Sequence, residues 1–209
     1  VIELLDKMAA APALERFCAN IIFIEQPIKR AVALKENVAA IAARYPVIID
    51  ESDGNFDAFP TARGQGYRGV SSKTCKGLYK SILNTARCAH WSAGEGVEYF
   101  MSAEDLTIQG GIGVQQDLAL INLLGLKHVE RNGHHYVHGM TGAGAPPAEQ
   151  AAFAAAHPDL YRSAGGETFV NIEGGKLQIA SLDCPGFATS VEPDWATMRE
   201  MSLETKDFS

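Results

Sequence analysis

Three short apolar runs, each stopping abruptly at charge, constrain this chain more than any other feature. Ile21-Ile22-Phe23-Ile24 stops at Glu25-Gln26-Pro27, Val47-Ile48-Ile49 stops at Asp50-Glu51-Ser52, and Gly69-Val70-Ser71-Ser72 stops at Lys73. A continuous apolar run of this length reads as a buried strand of a parallel sheet. A charged side chain at the C-terminal end of such a strand sits where α/β barrels build their active sites. Glu25, Asp50 or Glu51, and Lys73 are therefore expected to converge on one face. Carboxylates and a lysine placed there point to a metal and a base.

The rest of the chain fits that frame. Residues 1–19 read as one helix or two short ones, with Ile2, Leu5 and Met8 on one face and Pro12 restarting the turn. The strands are expected at Ile21–Glu25, Val47–Asp50, Gly69–Lys73, Glu98–Ala103 and His128–Glu130. Helices are expected over 29–44, 57–63, 76–92, 113–124 and 147–156. In the 76–92 helix, Leu78, Ile82, Leu83, Ala86 and Ala89 form the inward face. Strand ends recur at about 25-residue spacing, which suits repeated β-α units of a barrel. Such a set left open exposes its edges, so either the sheet is doubly wound or further barrel strands exist elsewhere. From about Glu167 the rhythm changes. Thr168–Ile172 and Leu177–Ala180 read as a hairpin around Glu173-Gly174-Gly175, and Trp195 is expected to pack onto the body. The division expected is a partial (β/α) barrel catalytic domain over 1–166 and a tail over 167–209.

Composition excludes several classes. The chain has 209 residues, 46% hydrophobic and 21% charged, as an ordinary soluble globular protein does. A net charge of -7 with no basic run argues against nucleic-acid binding. No run of about 18 apolar residues is present, so no membrane span is expected. The chain opens on Val1, inside a helix with no strand before it, and is expected to be a processed or truncated piece. The four cysteines (Cys18, Cys75, Cys88, Cys184) form no C-x-x-C pair, so free thiols in a reducing cytoplasm are expected rather than a zinc site.

Phe23-Ile24-Glu25-Gln26-Pro27, Asp50-Glu51-Ser52 and Lys73-Thr74-Cys75-Lys76-Gly77 resemble, in order and spacing, the E-Q-P, D-E-S and K-x-x-K-G series of the enolase superfamily, in its mandelate racemase/muconate lactonizing enzyme branch. Gly110-Gly111-Ile112-Gly113 resembles the family's E-S-G-I-G lead into the helix after strand seven. Cys184-Pro185-Gly186-Phe187 resembles its P-G-L-G tail turn. The resemblance covers nearly the whole chain. It implies an α/β fold: the C-terminal part, about strands 4 to 8, of an enolase-type modified TIM barrel, with a tail returning to a capping domain. The capping domain's main part, strands one to three, the first metal carboxylate and the lysines of strand two would then lie outside this sequence.

The resemblance also implies a chemistry. A proton α to a carboxylate is weakly acidic, so its abstraction needs a hard cation on the enediolate oxygens, and oxygen ligands suit Mg²⁺. A Lys or His base beside Mg²⁺ is the pattern of such sites. Glu25 and Asp50 match the second and third metal ligands. Read from the residues alone, Glu25 can equally cap a helix or bond a lysine, and Asp50 can be a turn residue. Glu51 would bond a nearby lysine, since strand alternation turns only one of Asp50 and Glu51 inward. Lys73 matches the acid/base, with a pKa lowered by desolvation and a nearby cation. Lys76 would pair with a carboxylate or start a helix.

Glu104-Asp105 falls where the mandelate racemase pattern carries a histidine base. With no histidine there, the lysine-type subgroup is favoured, and these acids would either contact a substrate hydroxyl or amine or serve as plain loop residues. Glu130 resembles the strand-eight glutamate that, protonated, donates a hydrogen bond to the substrate carboxylate. His134 and its neighbours His135 and His138 fall in a Gly-flanked loop, where they would contact the substrate or, as paired loop histidines without i,i+4 spacing more often do, face solvent; a zinc site is not expected there.

The reading that follows is a Mg²⁺-dependent lyase, cycloisomerase, epimerase or dehydratase acting on a small carboxylic acid, as a homo-oligomer. A second reading is a non-catalytic enolase-like barrel with a binding or structural role. A third, a doubly wound binding domain, calls for a glycine-rich phosphate loop after the first strand, which Glu25-Gln26-Pro27-Ile28 is not.

Overall fold

The structure, a computed structural model, describes residues 1–104, 110–130 and 139–198. The chain divides into two compact units, Val1–Leu106 with Leu120–Arg131, and Thr107–Ala119 with Asn132–Ser209.

The first unit is built on a five-stranded sheet: β1 (Ile24–Glu25), β2 (Val47–Ile49), β3 (Gly69–Ser72), β4 (Phe100–Glu104) and β5 (Val129–Glu130), in the order β1-β2-β3-β4-β5. Every neighbouring pair is parallel, and the sheet curls into a half-barrel. The order runs straight through without reversing. A doubly wound sheet reverses at a switch point, so the doubly wound alternative does not describe this fold.

Residue parity explains the two faces of the sheet. Successive side chains along a strand point to opposite sides. Ile24, Val47, Ile49, Val70 and Met101 face outward and pack with Leu5, Val38, Ile41, Phe59, Ala62, Tyr67 and Cys88. Burying each Val, Ile or Phe there contributes about 1.5–3 kcal/mol. These partners come from α1 (Ile2–Ala9), α3 (Ala39–Ala42), α4 (Ala58–Gly64) and α5 (Leu78–Glu95), and from the loops between them; α2 (Glu15–Ala19) carries no buried residue. The alternate positions face the inside of the curl. Phe23, just before β1, stacks edge-on against His128 at 5.2 Å and lies 5.8 Å from Phe100, between ring centroids. Those three rings form the floor of the curl. Two to four residues further along the same strands stand the charged groups. Gly69 is required beside that floor: a Cβ there would lie 2.6 Å from Ile48 Cγ2 and 2.8 Å from the Phe100 carbonyl.

Two expectations for the helices need correction. The helix expected over 29–44 is only α3, because Asn37 Oδ1 accepts a hydrogen bond from Ala39 N at 2.8 Å and starts a new turn there. The long helix α5 runs three residues past the expected end at 92 and stops on Gly96, in the left-handed region at φ 67°. Its buried face, however, is Lys80, Ser81, Asn84 and Cys88, while Ile82 and Leu83 are exposed. Specific partners make this polar face buriable. Lys80 pairs with Asp53 Oδ2 at 2.9 Å, and Ser81 Oγ lies 2.9 Å from Ser72 Oγ.

Helix α6 (Ile112–Leu123) follows β4 in the chain. The second unit contains α7 (Gly139–Gly142), α8 (Pro147–Ala156), the antiparallel pair β6 (Tyr161–Ala164) and β7 (Glu167–Val170), the pair β8 (Ile172–Glu173) and β9 (Lys176–Leu177), and α9 (Pro185–Ala188). The single hairpin expected from Thr168 to Ala180 is thus two hairpins. Gly165 and Gly166, at φ 62° and 82°, make a tight turn that gives β7 a partner upstream. The expected boundary at 166/167 falls inside this first hairpin. Trp195 is 62% exposed and donates to Glu192 instead of packing. All four cysteines are free. Among the described residues, no helix is long and apolar enough to cross a membrane.

Candidate metal centre

The strand ends of the first unit place the charged residues. Glu25 closes β1, Asp50 follows β2, Lys73 follows β3, Glu104 closes β4 and Glu130 closes β5. Glu25, Asp50 and Glu104 each offer one carboxylate oxygen, and these oxygens lie within 4.8 Å of one another. Asp50 is fully buried and is the hub. Its Oδ2 accepts from Lys73 Nζ at 2.8 Å and its Oδ1 accepts from Lys76 Nζ at 2.5 Å. Lys76 also donates to the carbonyls of Asp50 and Ser71, at 2.9 and 2.8 Å. Lys73 pairs at the same time with Glu104.

Burial sets the electrostatics. It pushes Glu25 up to about 7, helped by the negative charges of Asp50 and Glu130. It also pushes Glu104 up to about 7, helped by the hydrogen bond to Asp50. Burial acts on Asp50 in the same sense, but hydrogen bonds from Glu104, Lys73 and Lys76 outweigh it and bring Asp50 down to about 2. For Lys73 the carboxylates, with no cation beside them, act against the lowered pKa expected next to one. Burial does favour the neutral amine, but Asp50 and Glu104 hold the proton more strongly and raise the pKa.

The donor set fits a hard divalent cation. It consists of carboxylate oxygens only, which suit Mg²⁺ rather than a soft metal. Two of the three carboxyls are held near neutral pH by burial and mutual repulsion, which is the condition a cation would relieve.

Alternation separates Asp50 from Glu51. Asp50 points in, whereas Glu51 is exposed and accepts from Gln26 Nε2 at 2.7 Å rather than from a lysine. Lys76 is a carboxylate partner, as expected. Glu130 stands at the same end of the sheet, close enough for Glu25 to feel its charge, and its Oε1 lies 3.8 Å from His128 Nε2. Asp105 and His134 lie outside the described residues.

Glu104 has a different place from the one expected. Expected beside the substrate or in a plain loop, it is 2% exposed and belongs to the carboxylate cluster itself. Strand β4 runs one residue further than the apolar pattern suggests, and the parity Phe100–Ser102–Glu104 then turns the carboxylate inward. That parity was the available signal. Two further residues carried none. Gln26 reaches across to β2 with both ends of its amide, and Asp53 forms a buried ion pair with Lys80.

Compared with models of known protein families and with curated protein sequences, the chain matches none.

Proposed function

We propose that this protein is a Mg²⁺-dependent enzyme that abstracts a proton α to the carboxylate of a small organic acid, on an enolase-type modified barrel. The observation that carries the reading is the convergence of Glu25, Asp50, Glu104 and Lys73 at the C-terminal ends of adjacent parallel strands. Glu25, Asp50 and Glu104 would hold the cation. When bound, the cation supplies positive charge that stabilises the enediolate left by proton removal.

The chain's own residues do the rest. Lys73 is the acid/base, and it accepts a proton only once Asp50 and Glu104 are engaged elsewhere, because those two carboxylates now hold its proton. Lys76 fixes Asp50 by bonding both its side chain and its carbonyl. Glu130 anchors the substrate carboxylate at the rim. The outcome is that of a lyase, cycloisomerase, epimerase or dehydratase, in a homo-oligomer.

A second reading, a barrel that binds without catalysis, draws on one observation. Lys73 and Lys76 both pair with Asp50 and offset its charge without a cation.

Calorimetric titration with Mg²⁺ separates the two. Under the first reading, micromolar-to-millimolar binding is abolished by Glu25→Gln, Asp50→Asn and Glu104→Gln, and Lys73→Ala binds Mg²⁺ but turns over no acid substrate. Absence of Mg²⁺ binding in the unaltered protein sinks the catalytic reading.

A further inference from the structure

Gln26 sits at a conformational extreme. Its φ is +28°, in the left-handed region, although it is not glycine. A residue holds such a conformation only where its surroundings over-determine it, and here they do. Its backbone N donates to the Ile48 carbonyl at 2.8 Å. Its side-chain Oε1 accepts from Asp50 N at 3.1 Å and from Ser52 N at 2.9 Å. Its Nε2 donates to Glu51 Oε2 at 2.7 Å. One side chain therefore binds three consecutive residues after β2 to the end of β1.

The consequence is geometric. Glu25 and Asp50 come from different strands, and a one-residue twist at either strand end would exchange an inward for an outward side chain. The β1 end is fixed by the backbone bond to Ile48, and the β2 end by the two amide protons on Oε1. The bond to Glu51 keeps that carboxylate outside, so that Asp50 alone enters the cluster.

We propose that Gln26 is a positioning residue: it holds the Glu25 and Asp50 carboxylates in cation-binding register without touching the cation or the substrate. This rests on the reading of the cluster as a Mg²⁺ centre. Groups that orient metal ligands typically change affinity by about 10- to 100-fold when removed.

The strain supplies the means of testing it. Gln26→Met keeps the volume and the strained φ but loses the amide. Gln26→Gly also loses the amide but relieves the strain. Mg²⁺ affinity is read by calorimetry and thermal stability by calorimetric unfolding in EDTA, for the full chain. The expected result is Mg²⁺ binding at least tenfold weaker in both variants, with the Gln26→Gly midpoint at or above that of Gln26→Met. Affinity falling in parallel with stability across the two would mark Gln26 as merely structural. Affinity unchanged in either variant overturns the proposal. If the unaltered protein binds no Mg²⁺, the metal reading fails and the positioning role falls with it, an outcome distinct from Mg²⁺ binding that the variants leave unchanged.

Discussion

Lys73 Nζ lies 2.8 Å from Asp50 Oδ2 and pairs in the same pose with Glu104, so one buried ammonium serves two buried carboxylates. Removing it strands negative charge in a dry site. Lys73→Met is expected to lower stability by about 3–5 kcal/mol in EDTA. Added Mg²⁺ is expected to restore part of that loss, because a ligand that binds only the folded state stabilises it. Urea unfolding with and without Mg²⁺ checks this, and a loss that is indifferent to Mg²⁺ would separate the lysine from cation binding.

The three carboxyls make stability depend on pH in two opposite ways. Burial and then Asp50 raise Glu25 and Glu104 to about 7 from 4.5. Between those values the folded protein keeps protons that the unfolded chain releases. Their contribution is therefore full below 4.5 and is lost as pH rises through about 7. Asp50 runs the other way: burial would raise it, but Glu104 and the lysines bring it from 3.8 to about 2. Its contribution is present above 3.8 and is lost as pH falls through about 2. In EDTA, the unfolding midpoint is expected to fall by a few degrees from about pH 5 to about pH 8. Mg²⁺ binding near pH 6 is expected to release protons, seen as a dependence of the calorimetric heat on buffer ionisation. A flat midpoint and no proton release would contradict the electrostatics described.

Gly69 has no room for a side chain. Gly69→Ala places a methyl 2.6 Å from Ile48 Cγ2 and against the Phe100 carbonyl. Backbone cannot yield as a flexible side chain does, so a loss of about 1–3 kcal/mol is expected. Because Ile48 lies two residues before Asp50 on the same face, Mg²⁺ affinity is expected to fall as well. Urea denaturation and calorimetry on the one variant test both.

The Lys80–Asp53 pair is buried at both ends. Lys80→Met and Asp53→Asn are each expected to lower stability by about 3–5 kcal/mol, because each leaves the other group without its partner. The double variant is expected to lose clearly less than both losses together. Additive losses in a double-mutant cycle would show that the pair is not coupled.

What was legible in the sequence follows physical range. The strands were visible because a buried parallel strand must be apolar throughout, and Val47-Ile48-Ile49 can be little else. Glu25, Asp50 and Lys73 were visible because each breaks such a run at its end. Glu104 was less so, since its strand ends in Ser-Ala rather than in a solid apolar block. The buried face of α5 escapes the apolar pattern for a related reason. Lys80 and Ser81 look solvent-facing until Asp53 and Ser72, 27 and 9 residues away, are known to meet them. A polar residue's burial depends on a distant partner, and neither periodicity nor propensity carries that information. Asn37 is the local counterpart: its amide interrupts a helix that the apolar spacing alone would continue.

The separation of inward and outward residues along the strands has an evolutionary consequence. Architecture and chemistry are written on alternate letters of the same words: Val47 and Ile49 hold the helices, and Ile48 and Asp50 hold the floor and the charge. Sequence drift in relatives is then expected to beat with a period of two. Outward positions would exchange freely among residues of similar volume, while inward ones stay fixed for as long as the charged cluster is kept and loosen together once it is lost.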